Sequence, residues 1–162
     1  MYKKILITTA TLLFVGTLQA AMLFGKAVHV ADCDTITVLD SKYEKHRVRL
    51  MNIDCPEKKQ PWGKKAKRAL ADKVGNKIVR IDWSKKDHYG RIIGTVMLDG
   101  FNINRAMVQE GHCWVYRRYN KDPALLTLEA IAKRLGSGLW SLSQAQRIPP
   151  WEWRHNNKDR KF

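Results

Sequence analysis

The sequence predicts a mainly β domain with helices (α+β), built on five strands that close into a small barrel. Three observations predict it. Short, largely β-branched runs recur at residues 26–30, 35–39, 48–53, 78–83 and 91–98, each ended by turn-forming residues. A helical pattern at 62–74 falls between the third and fourth runs. Two further helical patterns follow the fifth. Strands in meander-like order with a helix inserted there suit a five-stranded barrel of the OB type, an architecture that also suits nucleic acid. A ferredoxin-like α+β sandwich is the structural rival.

Residues 26–39 read as two strands meeting at the tight turn Ala31-Asp32-Cys33-Asp34, and Asp40-Ser41-Lys42 turns the chain again. The third strand carries Val48, Arg49, Leu50 and Ile53, and ends where Pro56 removes a backbone donor. In the first helix Ala66, Ala69, Leu70 and Val74 share one face, with lysines on the others, and Gly75-Asn76 stops it. After a polar loop at 84–90, the fifth strand closes on the turn pair Asp99-Gly100. A short helix is expected at 104–110. A longer one starts at Pro123, runs through Leu125, Leu128, Ile131 and Leu135, and stops at Gly136 and Gly138. The tail beyond Ile148 is expected to lose order past His155.

The chain of 162 residues is long enough for one ordinary core, and 44% hydrophobic against 28% charged residues excludes a disordered class. Its net charge of +15, from 30 Lys and Arg against 15 Asp and Glu, is a feature that attracts polyanions. Residues 1–20 read as an export signal. Lys3 and Lys4 precede an apolar run at 5–15, and Leu18-Gln19-Ala20 offers a cleavage site, with Ala21 a near alternative. The mature protein is then expected to be periplasmic or secreted, with no stable membrane association, and monomeric. Cys33, Cys55 and Cys113 allow at most one internal bridge, and three pairings are open.

The chemistry gathers around residues 49–57. Arg49, Asp54 and Glu57 flank one buried strand end, and such charges cost desolvation unless they are paired or used. Phosphate chemistry asks for this mixture: an acid to hold a metal, an acid to take a proton from water, and a guanidinium to clamp an oxyanion. Three further pieces join it: Asp32-Cys33-Asp34-Thr35, Asp87-His88-Tyr89-Gly90-Arg91, and residues 114–119.

Together these pieces resemble the staphylococcal (micrococcal) nuclease family. Its pattern is an Asp-Gly-Asp-Thr turn, an Arg-Leu strand leading five residues on to Asp-Thr-Pro-Glu, and a Tyr-Gly-Arg. All three stand here in order and at the family's internal spacings, and the likeness runs from about residue 25 to about 140, leaving 143–162 as a basic tail. The resemblance implies an OB-fold, calcium-dependent phosphodiesterase acting on DNA and RNA, which breaks the 5′ P–O bond and leaves 3′-phosphate products. It implies Asp34 and Asp54 as carboxylate ligands of Ca2+, and Cys55 as a ligand through its backbone carbonyl alone. Glu57 becomes the base for the attacking water. Arg49 and Arg91 become the phosphate clamp, and Tyr119 lines the nucleotide pocket. Tyr89 either packs under its loop or touches substrate.

Two departures stand out. The family's turn glycine is Cys33, which would be strained if that backbone needs a positive φ. A second pocket tyrosine is Arg117, so base stacking passes to Trp114, Tyr116 or Arg117 itself. His29, His46, His88 and His112 read as surface or core residues, and Trp62, Trp83 and Trp140 as core. The rival functions are a non-catalytic OB module that only binds nucleic acid, and a cationic membrane-active protein. The first usually lacks the acids and arginines present here, and the second needs an aromatic-rich basic amphipathic helix that neither long helix supplies.

Overall fold

A computed structural model describes residues 21–120 and 122–158. The expected signal segment lies outside the described residues. Strands β1 (Ala21–Asp32), β2 (Thr35–Leu39) and β3 (Lys45–Leu50) form an antiparallel meander, and β1 also pairs with β5 (Ile78–Lys86), which pairs with β6 (Ile92–Leu98). The barrel closes through a parallel seam in which Val48, Arg49 and Leu50 of β3 meet Ile92, Ile93 and Gly94 of β6. Closure removes the free edges that an open sheet of this length would present. The five-stranded barrel with α1 (Gly63–Val74) between its third and fourth strands is the expected fold.

Inward-facing Val30, Ile36, Val38, Val48, Leu50, Val79, Ile81 and Val96 fill the barrel. Helix α1 adds Ala66, Leu70 and Val74 from its apolar face. The pair Asp99-Gly100, both at positive φ, turns the chain into β7 (Phe101–Asn102), and Asn102 caps α2 (Ile103–Gln109) by accepting from the Arg105 N–H at 3.0 Å. Buried Asn104 then ties α2 to the seam: its amide donates to the Met51 and Gly94 carbonyls and accepts from Val96 N–H. Helix α3 (Pro123–Leu135) begins at Pro123 and ends on left-handed Gly136, as its sequence predicts, and Asp122 caps it by accepting from the Ala124 N–H.

Four expectations change. The stretch from Val48 to Asp54 is not one strand. It breaks at Met51-Asn52, with Asn52 left-handed at φ 64°, and resumes as β4 (Ile53–Asp54), which pairs with β8 (Trp114–Val115). On α3 the buried row is Leu125, Glu129 and Ala132, while Leu135 is exposed. Glu129 tolerates burial because it accepts from Val115 N–H, Arg117 and Lys133, bonds that hold its carboxyl below the usual range against the opposing pull of desolvation. Of the three tryptophans assigned to the core, Trp140 is buried, whereas Trp62 and Trp83 are half-buried against it. Within the described residues the tail carries a further helix, α4 (Pro150–Lys158), opened by a proline whose fixed φ suits a first turn. It continues three residues past His155, the point where order is expected to end, and residues 159–162 lie outside the described residues.

Candidate active site

The break at Met51-Asn52 builds the site. In a continuous strand, Arg49 and Asp54 would lie about 16 Å apart on opposite faces. The turn instead brings Arg49 to 3.0 Å from the Oδ1 of Asp54. Thr35 pairs with Arg49 across β2–β3, so the preceding Asp34 sits beside Leu50 and accepts its N–H at 2.8 Å. The same guanidinium therefore also reaches the Oδ1 of Asp34, at 2.6 Å. Two carboxylates from separate turns converge on one cation, and both are buried, Asp54 completely and Asp34 to 4% exposure.

Cys33, which replaces the family's turn glycine, is not at positive φ, so the turn needs no glycine and carries no such strain. Asp32 acts as the turn former, accepting the Cys33 N–H at 2.9 Å. Cys55 is bonded to Cys113, which settles the pairing left open by the sequence, and Cys33 stays a buried free thiol that donates to the Pro56 carbonyl. With its sulfur in the bridge, Cys55 keeps only its backbone beside Asp34, its N–H 3.4 Å from Oδ2.

Glu57 is held from two sides. Its N–H donates to the Gln60 amide oxygen at 3.0 Å, and the Gln60 amide nitrogen donates to the Ile148 carbonyl. Gly63 packs its backbone against the Glu57 carbonyl so closely that any Cβ would collide with it. Sequence reasoning passed over Gln60, although its place three residues after Glu57 is the spacing at which a side chain returns to a backbone N–H. It also passed over Arg154. From α4 this side chain donates to Glu57 at 2.8 Å and to the two oxygens of Asp54 at 3.2 and 2.6 Å. The Pro-Pro-Trp-Glu-Trp opening of the tail was the available signal for a docked helix.

The other expected residues divide. Arg91 is bound by Asp87 at 2.7–2.8 Å and lies over the exposed Tyr89 ring, and makes no ion pair with Asp34 or Asp54 among the described residues. The seam nevertheless sets it two positions before Ile93, the partner of Arg49. Trp114 packs between Trp140 and Trp151, and Tyr116 stacks on Trp151 and meets Tyr119 edge-on at 5.2 Å. Arg117 pairs with Glu129 at 2.8 Å while staying half-exposed, which ties it to α3. Tyr119 remains 56% exposed, open to a ligand.

Electrostatics sharpen the picture. Burial pushes the carboxyl of Asp34 up to about 6, an effect that Arg49 offsets in part and neighbouring Asp54 reinforces. Arg49, which burial alone would lower, is raised by Asp34 and Asp54. Three carboxylates share two guanidiniums, and this deficit of positive charge with hard oxygen donors fits a divalent cation held by Asp34 and Asp54. A separate cluster, Asp40, Glu44 and His46 on the β2–β3 hairpin, also brings three donor atoms together. There Asp40 already accepts from the Lys42 and Glu44 N–H groups and bonds His46 at 2.8 Å, bonds that order the turn.

Beside Glu57 a groove of about 970 Å³ opens between the 58–62 loop, the first turn of α1 and the tail. Lys58, Lys59, Lys64 and Lys65 line it with Trp62 and Trp153, and no acid does. Trp62 stands at φ 72°, with its indole N–H on His112 at 3.1 Å and Lys65 over its ring.

Buried acids clasped by arginines on a barrel edge, beside a basic aromatic groove, define a hydrolase of phosphodiesters. The family described as Staphylococcal nuclease homologue matches residues 47–142. The chain is 43% identical to an uncharacterized endonuclease of Escherichia coli, over 88% of this chain and 92% of that protein. It is 38% identical to an uncharacterized endonuclease of Haemophilus influenzae, over 96% and 88%, and 37% identical to the micrococcal nuclease of Shigella flexneri, over 94% and 92%. The chain belongs to the staphylococcal nuclease homologue family, and it is a nuclease.

Proposed function

We propose that this nuclease is exported, depends on calcium, and hydrolyses both DNA and RNA at the 5′ P–O bond. One observation carries the reading: Asp34 and Asp54, brought from two different turns, meet at one guanidinium in a buried, electron-rich corner. Calcium, when bound there, would supply a Lewis acid for the phosphate oxygens. Asp34 and Asp54 would hold it, with the backbone carbonyl of Cys55.

The protein's own groups do the rest. Arg49 donates to both acids through its two terminal nitrogens, and the N–H groups that remain on its planar fork would donate to the scissile phosphate, a division of labour that lysine cannot reproduce. Arg91, paired with Asp87 beside the seam, would serve as the second clamp once phosphate draws it from that pair. Glu57 has a third of its side chain open to water, and it takes the proton as that water's oxygen bonds to phosphorus. As the P–O5′ bond breaks, the 5′ oxygen leaves with the bonding electron pair and takes its proton from solvent water, while the phosphate stays on the 3′ side. Tyr116 and Tyr119 offer the aromatic edge for a base, and the lysine groove draws the strand by its phosphates. Mature protein should degrade plasmid and RNA with calcium and not with chelator. Equal degradation in chelator would overturn the calcium assignment, and none in calcium would favour a binding module.

A further inference from the structure

Arg154 lies where a metal-binding acid pair would be expected to stay open. Both oxygens of Asp54 carry guanidinium bonds: Oδ1 from Arg49 and Arg154, and Oδ2 from Arg154 alone at 2.6 Å. A calcium ion needs its carboxylate oxygen at about 2.4 Å. A like-charged guanidinium in the same shell is incompatible with that. Arg49 engages only one oxygen of each aspartate and leaves Asp34 Oδ2 with a single 3.4 Å N–H contact, so Arg154 is the obstacle.

We infer that α4 is a latch: Arg154 substitutes for the metal on Asp54 and Glu57, and metal binding and latch docking exclude each other. The inference rests on the calcium reading above.

The helix is built to leave. It is short, too short to be stable by itself. Its hold on the domain, among the described residues, comes from the buried Pro150 at its start, from Trp151 against Trp114 and Tyr116, from Trp153 along the lysine groove, and from Arg154. Gln60 anchors the chain at Ile148, just before the two prolines, so release pivots there without unravelling the Glu57 loop. Because Trp153 walls the groove, undocking also widens the path for a strand. The acids are thus kept neutralised while metal is scarce, and one event both frees the ligands and opens the groove.

Calorimetric titration with calcium, without nucleic acid, on full-length mature wild type, Arg154→Ala and Arg154→Lys tests this. A competitor docked nine-tenths of the time weakens apparent affinity about tenfold, so Arg154→Ala should bind calcium about tenfold tighter, with Arg154→Lys between. Hydrogen exchange on the wild type covers the case of a destabilised variant: the backbone amides of α4 should lose protection when calcium is added. Unchanged or weaker affinity in Arg154→Ala overturns the latch, as does unmoved protection. Loss of turnover in Arg154→Ala at unchanged affinity would make Arg154 a phosphate-gripping residue and also overturn it. Absence of calcium binding by every form would remove the calcium reading itself, which separates the two failures.

Discussion

Arg49 and Asp54 stand five residues apart in the chain, and their side chains touch at 3.0 Å because a left-handed Asn52 folds the strand back on itself. The contact fixes Arg49 in place before any substrate arrives. Arg49→Lys should therefore lose the bidentate geometry and about a hundredfold in rate or more, with far-UV circular dichroism unchanged. Arg49→Ala should in addition lose about 3 kcal/mol of stability in urea titration, because Asp34 and Asp54 are left facing each other.

Glu57 is positioned by backbone contacts as much as by its own side chain. Glu57→Gln should keep the fold and substrate affinity while kcat falls about a hundredfold or more. Gly63→Ala leaves the carboxylate intact but pushes the Glu57 carbonyl away. Its kcat should fall with KM nearly unchanged, and wild-type kcat in this variant would show that the close approach has no role in catalysis.

Asp34 makes the metal-free protein sensitive to pH. Its carboxyl is raised from an ordinary 3.8 to about 6, so the folded form binds this proton more tightly than the unfolded chain. The stability it contributes is fully present below about pH 4 and is lost as pH rises through about 6. Asp34→Asn, measured in chelator, should gain melting temperature relative to wild type as pH rises from 4 to 7. A difference that stays flat across that range would refute the shift.

The Cys55–Cys113 bridge closes a loop of 58 residues and ties the backbone after Asp54 to the end of α2. Replacing both cysteines by alanine should cost about 4 kcal/mol by the loop-entropy relation. Activity should also lose its tolerance of warmth before secondary structure is lost, since the ligand strand loosens first.

The groove lysines should act on the strand and not on the chemistry. Converting Lys58 and Lys64 to Gln should leave single-turnover rates at saturating substrate unchanged. The slope of log affinity against log salt for single-stranded DNA should shrink by about 1.4, at roughly 0.7 for each phosphate that no longer meets a lysine. An unaltered slope would place the strand elsewhere.

Much of this was legible in the residues themselves. The alternation of β-branched strands, the apolar face of α1, the Pro123 opening and Gly136 stop of α3, and the Asp99-Gly100 turn are local signals, and each formed the expected element save the third strand, which breaks at Met51-Asn52. The family pattern likewise lies in short spacings around Asp34, Arg49, Asp54, Glu57 and Arg91. Burial of Glu129 was not legible, because the bonds that satisfy it come from Val115 and Arg117 as well as from Lys133 on its own helix.

By itself, then, the sequence determined a basic OB-type barrel with a nuclease's acids and arginines, since those depend on periodicity, turn chemistry and residue type within a few positions. Only tertiary structure decided which cysteines join, that Arg49 clasps Asp34 and Asp54 together, and that Arg154 returns across a hundred residues to cover Asp54 and Glu57. Such contacts depend on how closed strands and docked helices bring distant side chains to one point, and no local spacing encodes that distance.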